Sequence, residues 1–322
     1  MKAITQYEYG TPDVLKLEEV DKPAVGDDDV LLRVQAASIN QADWHLLTGT
    51  PRIARLAFGL FKPKQNIPGL DVAGQVEEVG ANVTRFKPGD EVFGENKGAY
   101  AEYVCVPEDR IVLKPDNLTP EQAAAVPVAA TTALQGLRDK GKIESGAGAK
   151  VLIIGASGGV GTFAVQIAKS FGAEVTGVCS PRNVEMVQSL GADHVIDYTY
   201  EDFTEGDKKY DLVLDIVGNR SLRDYKRVMA PGAIYVAVGG PSSTMGFMTR
   251  MFRMMLISLF GRHKMAPMLA KQTPEDLNVL RELLESGAVT PVIDKRYKLD
   301  EVPEALRVQG EGHAQGKSVI VL

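Results

Sequence analysis

The hydrophobic positions of the first third of the chain fall in short runs, Val30 to Ala36, Asp71 to Val79, Glu91 to Phe93 and Ala101 to Val106, cut apart by Gly, Pro and Asp. That rhythm predicts a twisted all-β unit. From Pro120 onward the texture changes. Apolar, β-branched runs at Lys150 to Ile154, Glu174 to Cys179, His194 to Asp197, Leu212 to Ile216 and Ala233 to Val238 are separated by helical patterns such as Gly161 to Phe171 and Asn183 to Leu190. Runs without alternation belong to strands buried on both faces, so this order predicts a parallel sheet covered by helices. A further helix is predicted from Pro274 to about Ser286, with Thr273 as N-cap and Gly287 as its stop. Strand texture returns at Val289 to Leu299 and, after a Gly316-Lys317 turn, at Ser318 to Leu322. There is no internal repeat and no low-complexity segment.

Composition narrows the picture. A chain of 322 residues exceeds one ordinary core, and about two domains are expected. Its 44% hydrophobic and 24% charged content is that of a folded globular protein. The net charge of -6 offers no general attraction to nucleic acid or anionic lipid, which leaves such contacts to local basic patches. Cys105 and Cys179 have no CxxC spacing and read as buried thiols in a reducing compartment. The opening MKAITQYEYG lacks the apolar run of a secretory signal, and the expected location is cytoplasmic. The nearest approach to a membrane span, Met254 to Phe260, is short and flanked by Arg253 and Arg262.

The chemistry begins at KVLIIGASGGVG, Lys150 to Gly161, where a buried strand runs into glycines and then into an amphipathic helix. Glycines there let the backbone approach a pyrophosphate, whose charge is met by free N–H groups and the helix dipole. Ala156 stands where the first glycine of GxGxxG would be, leaving Ala156, Gly158 and Gly161 in that pattern. The next strand ends Val178-Cys179-Ser180-Pro181-Arg182-Asn183, with no acid between Gly177 and Asn183. An NAD site places a carboxylate there for the ribose hydroxyl. Ser180 removes the charge that would repel a 2′-phosphate and Arg182 offers a guanidinium fork to it, so NADPH is expected over NADH. The plain alternative for Arg182 is a solvated residue at a helix start. Tyr198, after the third strand, adds a stacking face or a hydroxyl.

The chain resembles the medium-chain dehydrogenase/reductase superfamily, in its zinc-free quinone oxidoreductase branch. The resemblance rests on AASINQADW at Ala36 to Trp44, PGLDVAGQVEEVG at Pro68 to Gly80, FKPGDEVFG at Phe86 to Gly94 and GAYAEYVCVP at Gly98 to Pro107. It continues through AATTAL at Ala129 to Leu134, GASGGVG at Gly155 to Gly161, LGADHVIDY at Leu190 to Tyr198 and the closing GKSVIVL. The resemblance implies an α/β protein in which a Rossmann doubly wound parallel sheet, residues 122–268, is inserted in a GroES-like β domain formed by 1–121 and completed by 269–322. It also implies a cleft between the two, a homodimer, and cofactor contacts at Asn40, Asp43, Thr131, Ser157, Gly158, Gly159, Val160, Ser180, Arg182, Tyr198, Val217 and Val238. Zinc alcohol dehydrogenases hold their metal with an early Cys, a His-Glu pair and a later Cys. Here those regions read Asn40, Leu70-Asp71 and no thiol, and His45, His194, His263 and His313 are scattered, so no metal is expected.

Without a Lewis acid the expected acceptors are those that take hydride readily, namely quinones and α,β-unsaturated carbonyls. Asn40 is the candidate for orienting substrate or nicotinamide, Asp43 for fixing its loop, and His45 for a proton relay, against the plainer reading of a structural histidine. Trp44 is expected to wall the pocket. A zinc-free alcohol dehydrogenase or enoyl-thioester reductase is an alternative, as is a catalytically idle nucleotide-binding or membrane-adaptor protein. Two stretches depart from the family pattern, Gly49 to Ile67 and the Met-rich Thr244 to Ala270, the latter interleaved with Arg250, Arg253, Arg262 and Lys264. By the resemblance both flank the substrate entrance. Three readings compete for them: walls of an enlarged pocket for a lipophilic substrate, a dimer interface, or a peripheral membrane contact.

Overall fold

The structure, a computed structural model, describes residues 1–143, 148–241, 243–261, 263–312 and 314–322. Arg262 and His313, singled out in the sequence, lie outside the described residues. The chain forms two compact units, Met1–Thr131 with Gln272–Leu322, and Thr132–Lys271. The expected divisions at 121/122 and 268/269 therefore move to 131/132 and 271/272. The reason is packing: the first helix after Pro120 lies on strands of the first unit instead of joining the parallel sheet.

The first unit opens with the hairpin of β1 (Lys2–Thr5) and β2 (Lys16–Glu19), followed by β3 (Asp29–Ser38), α1 (Gln41–Thr48), α2 (Arg55–Phe58), β4 (Asp71–Val79), β5 (Glu91–Glu95), β6 (Tyr103–Pro107) and β7 (Ile111–Leu113). Helix α3 (Pro120–Ala124) follows, and α4 (Pro127–Gln135) carries the chain across the boundary. Strand β3 is the hub, paired antiparallel with β4 and β6. Its inward Val30, Leu32 and Val34 meet Val72, Val76 and Val104 in the core.

The second unit alternates strand and helix: β8 (Lys150–Ile154), α5 (Gly159–Ser170), β9 (Glu174–Cys179), α6 (Val184–Ser189), β10 (His194–Asp197), β11 (Tyr210–Asp215), α7 (Leu222–Val228), β12 (Met229–Ala237), α8 (Thr244–Phe260) and β13 (Lys264–Pro267). Its six strands among the described residues are all parallel, in the order β10-β9-β8-β11-β12-β13. Numbered within the unit this is 3-2-1-4-5-6, the doubly wound Rossmann order, whose switch point lies between β8 and β11. Val151, Leu152, Ile153, Val213 and Leu214 are fully or almost fully buried, as strands covered on both faces require.

The chain then returns to the first unit through α9 (Pro274–Glu285), β14 (Ile293–Lys298), α10 (Val302–Gly310) and β15 (Lys317–Val321). Thr273 caps α9 as its sequence predicts, accepting the Asp276 N–H at 3.2 Å. Strand β15 adds antiparallel to β3 and parallel to β14, which completes the GroES-like sheet with residues from both ends of the chain. Lys317, expected in a turn, is instead the first residue of β15 and is buried, because its side chain has a partner in the interior.

Candidate functional site

At the switch point, β8 delivers the chain to Gly155, which adopts φ +85°. A Cβ there would stand 2.8 Å from Val217 Cγ2, so the turn is built against the segment that follows β11. Ala156 is buried, its methyl facing Gly177 of β9, and this accommodates an alanine in the first glycine position of the motif. At Gly161 a Cβ would meet Gly155 O at 2.1 Å, which holds α5 tight against the turn. Gly158 caps α5, and a Cβ on it would meet only Gly155 O at 3.6 Å, leaving room above the helix terminus.

That terminus fits a pyrophosphate. The first N–H groups of a helix have no intrahelical acceptor, and Gly159 and Val160 present theirs there. Asn183 ties the two ends of the cradle together, its Nδ2 donating to Ser157 Oγ at 2.9 Å and to Ser180 Oγ at 3.1 Å. Its buried Oδ1 has no hydrogen-bond partner among the described residues. Arg182 is exposed in the turn before α6. The Tyr198 N–H donates to Cys179 O at 3.3 Å, which sets the half-exposed Tyr198 beside the end of β9.

Asp215, at the end of β11, organises the opposite wall. Its Oδ1 accepts the N–H groups of Val217 at 3.2 Å and Gly218 at 2.8 Å, and its backbone carbonyl accepts that of Val238 at 2.9 Å. Its Oδ2 accepts the Tyr235 hydroxyl at 2.6 Å and Arg250 Nη2 of α8 at 3.1 Å. Val217 and Val238, both expected at the cofactor, are thus held by one buried residue that the sequence reading overlooked, Val217 by the Asp215 carboxylate and Val238 by its backbone carbonyl. The signal was an acid closing an otherwise apolar strand, LVLDIVG.

The first unit holds a second polar cluster, where β3 passes into α1. Asn40 N-caps α1, and its backbone N–H donates to Asp43 Oδ2 at 2.8 Å. Asn40 Nδ2 donates to Asp71 Oδ2 at 2.9 Å, and Ser38 Oγ donates to the same oxygen at 2.7 Å. Lys317 Nζ donates to Asn40 Oδ1 and to Ile39 O, and lies 3.5 Å from Asp71 Oδ2. The other Asp71 oxygen accepts the Val128 N–H of α4 at 2.9 Å. Each member is at most 6% exposed apart from Val128, so the charges of Asp71 and Lys317 compensate one another away from water.

Burial, with Asp71 nearby, pushes the Asp43 carboxyl up from 3.8 to about 7. Burial and Asp71 likewise push Glu95, at the end of β5, up to about 7. Among the described residues the buried Asp43 Oδ1 has no hydrogen bond of ordinary geometry, although the nearby Tyr100 hydroxyl favours the charge of this carboxylate. Burial lowers the pKa of Lys317 against the pull of Asp71. Sequence reading found Asn40 and Asp43 but not Lys317, Ser38 or Tyr100, whose hydroxyl donates to Ser38 O at 3.2 Å.

Two expectations concern the residues that follow Asp43 in the chain. His45 follows Asp43 by two positions and so points from a different face of α1; its hydrogen bonding is not part of the Asn40 cluster, and burial lowers its pKa. Trp44, expected to wall a pocket, packs against the core of the first unit, and a Cβ on Gly310 of α10 would stand 2.6 Å from its ring. Thr131 is buried on α4, with an Oγ1 that has no hydrogen-bond partner among the described residues. A hollow in this unit is lined by Tyr9, Leu46, Phe58, Ile67, Pro68 and Leu70, among others, and so adjoins the residues beside His45 and Asp71. Among the described residues no group of three or more His, Cys, Asp or Glu is placed to hold a metal ion, and no helix is long and apolar enough to cross a membrane.

A Rossmann unit with a phosphate cradle at its switch point and a GroES-like unit define an NAD(P)H-dependent oxidoreductase. Residues 26–116 match the family model of the alcohol dehydrogenase GroES-like domain, residues 122–219 that of the alanine dehydrogenase/PNT C-terminal domain, and residues 190–320 that of the zinc-binding dehydrogenases. The chain is 36% identical to the 2-methylene-furan-3-one reductase of Solanum lycopersicum, over 99% of this chain and 79% of the relative. It is 34% identical to the chloroplastic NADPH-dependent alkenal/one oxidoreductase of Arabidopsis thaliana, with the same coverage. The solved quinone oxidoreductase of Coxiella burnetii superposes with a TM-score of 0.85 at 30% identity, covering 100% of this chain and 99% of that one. The chain belongs to the quinone oxidoreductase-like branch of the medium-chain dehydrogenase/reductase superfamily.

Proposed function

We propose that the protein uses NADPH to reduce quinones or α,β-unsaturated carbonyls without a metal. The observation that carries the cofactor preference is the end of β9, where Ser180 and Arg182 stand in place of a carboxylate and Asn183 locks Ser180 to the phosphate turn. The names of the tomato and Arabidopsis relatives support the substrate class.

In this reading Ser157, Gly158, Gly159 and Val160 hold the pyrophosphate, Ser180 and Arg182 the 2′-phosphate, and Val217 and Val238 flank the nicotinamide half. The bound dinucleotide supplies a hydride. Asn40 has one amide N–H beyond its bond to Asp71, and this donor orients the acceptor carbonyl and stabilises the charge that develops on its oxygen. Asp43 acts through Asn40, whose backbone it anchors. His45 is mostly neutral near pH 7 because burial disfavours its charge, which suits proton exchange with solvent over standing positive charge.

The metal-free reading is supported by Asp71 itself. Both its oxygens are engaged by Ser38, Asn40, Val128 and Lys317, and the adjacent Leu70 offers no ligand atom. The test is NADPH consumption with a panel of quinones and enones before and after exhaustive chelation. Turnover that survives chelation is expected; turnover restored only by added zinc would refute the metal-free reading, and nucleotide binding without turnover would favour the idle adaptor.

A further inference from the structure

We propose that Lys317 is a positioning residue that locks the Asn40 amide as a hydrogen-bond donor and offsets the buried charge of Asp71 beside it. The proposal rests on the reading of Asn40 as the donor to the acceptor oxygen. Three strands bring these residues together. Strand β3 lies between β4 and β15, and its last residue, Ser38, stands opposite Asp71 of β4 and Val319 of β15. The Ile39 N–H donates to Ser318 O at 2.9 Å, which extends the pairing one step past the end of β3 and sets Lys317 beside Asn40.

Donors and acceptors match around each charge. Lys317 is 2% exposed, and its Nζ faces three acceptors, Ile39 O at 3.0 Å, Asp71 Oδ2 at 3.5 Å and Asn40 Oδ1. An ammonium has three N–H bonds for them and a neutral amine only two, so the cluster favours the cation against the burial that lowers its pKa. Asp71 receives Ser38, Asn40, Lys317 and the Val128 N–H, which together fill the lone pairs of an ionised carboxylate. Asn40 sits between the two charges. Its Oδ1 faces an ammonium that cannot accept, and its Nδ2 faces a carboxylate that cannot donate. Turning the amide over would set N–H against N–H and oxygen against oxygen, so its orientation is fixed.

An oxygen that gains negative charge at the second Asn40 N–H does so close to Asp71, whose Oδ2 is 2.9 Å from the same nitrogen. A carboxylate in that place opposes the charge, and away from water the opposition is strong. The field of Asp71 is already felt by its neighbours, since burial and Asp71 together raise Asp43 and Glu95. Lys317 pairs with Asp71 and offsets that field. It also draws electron density onto Asn40 Oδ1, which makes the second N–H a stronger donor. A lysine from the far end of the chain thus allows an asparagine beside a carboxylate to stabilise an anion.

The experiment is steady-state kinetics with NADPH and methyl vinyl ketone, together with calorimetry of NADPH binding. The proteins are the wild type, Asn40→Ala, Lys317→Met and the double variant Asn40→Ala/Lys317→Met, with melts by circular dichroism confirming that each is folded. Lys317→Met is expected to lower kcat about 10- to 100-fold and to change the KM for the ketone much less. Because Lys317 acts through Asn40, the double variant is expected to match Asn40→Ala alone. If Lys317→Met, which leaves Asp71 unpaired, does not fold, the neutral pair Lys317→Met/Asp71→Asn replaces it in both comparisons with the same expectation. An unchanged kcat in the folded Lys317 variant, beside an impaired Asn40→Ala, overturns the proposal alone. So do losses that multiply in the double variant, and a loss confined to NADPH affinity. A full kcat in Asn40→Ala overturns the donor reading and the proposal with it.

Discussion

Arg250 on α8 and Asp215 at the end of β11 form a buried ion pair, Nη2 to Oδ2 3.1 Å, with side chains 9% and 0% exposed. The pair joins α8 to the strand end that positions Val217 and Val238. Removing the cation alone leaves Asp215 charged and buried, and breaking a buried pair from one side costs about 3–5 kcal/mol. Arg250→Ala is therefore expected to lower the urea midpoint by a corresponding amount, with Asp215→Asn in the same chain restoring part of the loss. A midpoint unchanged by Arg250→Ala would contradict the anchoring role.

The phosphate turn separates two glycines that look alike in sequence. Gly161→Ala drives a methyl to 2.1 Å from the Gly155 carbonyl, a backbone atom that has nowhere to move, so the variant should be strongly destabilised. Gly158→Ala meets nothing closer than 3.6 Å and should fold normally, yet its methyl occupies space a pyrophosphate needs. Thermal melts should distinguish the first variant from wild type, and nucleotide titration the second. Tight NADPH binding by Gly158→Ala would mean that the phosphates lie elsewhere.

Two buried carboxyls make stability depend on pH. Asp43 is raised from 3.8, and Glu95 from 4.5, to about 7 in the fold. Between about pH 4 and 7 the unfolded chain releases protons that the folded chain retains, so stability falls as pH rises through that window and levels off above it. Each unit between folded and unfolded pKa corresponds to roughly 1.4 kcal/mol. Urea midpoints measured from pH 4 to 8 should fall in the wild type and fall less steeply in Asp43→Asn and in Glu95→Gln. Parallel curves for all three would remove these groups from the account.

Cofactor choice depends on the end of β9. Arg182→Ala should weaken NADPH binding by about 10- to 100-fold and leave NADH nearly unchanged, since only the former carries the phosphate that a charge-assisted hydrogen bond would hold. Ser180→Asp restores the carboxylate of an NAD site and should move the kcat/KM ratio towards NADH. If neither substitution changes the ratio, the preference is set elsewhere.

The sequence showed the Rossmann unit more clearly than the unit around it. Strands β8 and β9 match their apolar runs residue for residue, because a strand buried on both faces leaves no ambiguity about where burial ends, and the partly exposed edge strand β10 matches its run as well. Helices α1 and α10 went unread: α1 buries only Asp43 and Leu47, and α10 only Val302, Ala305 and Leu306, too few apolar positions to establish a period. The Asn40 cluster was half visible. Asn40 and Asp43 are neighbours in the chain, whereas Lys317 reaches Asp71 across 246 positions, and a lysine after a glycine reads as a turn until β15 is seen to enter the sheet beside β3. Asp215 was hidden in the same way, because its partners Tyr235 and Arg250 lie 20 and 35 positions further along the chain.

Calorimetric titration of the purified protein with NADPH and with NADH, under identical conditions, tests the central claim most directly. The account predicts saturable binding of both, with NADPH tighter by about tenfold or more. Equal affinities, or tighter binding of NADH, would contradict it.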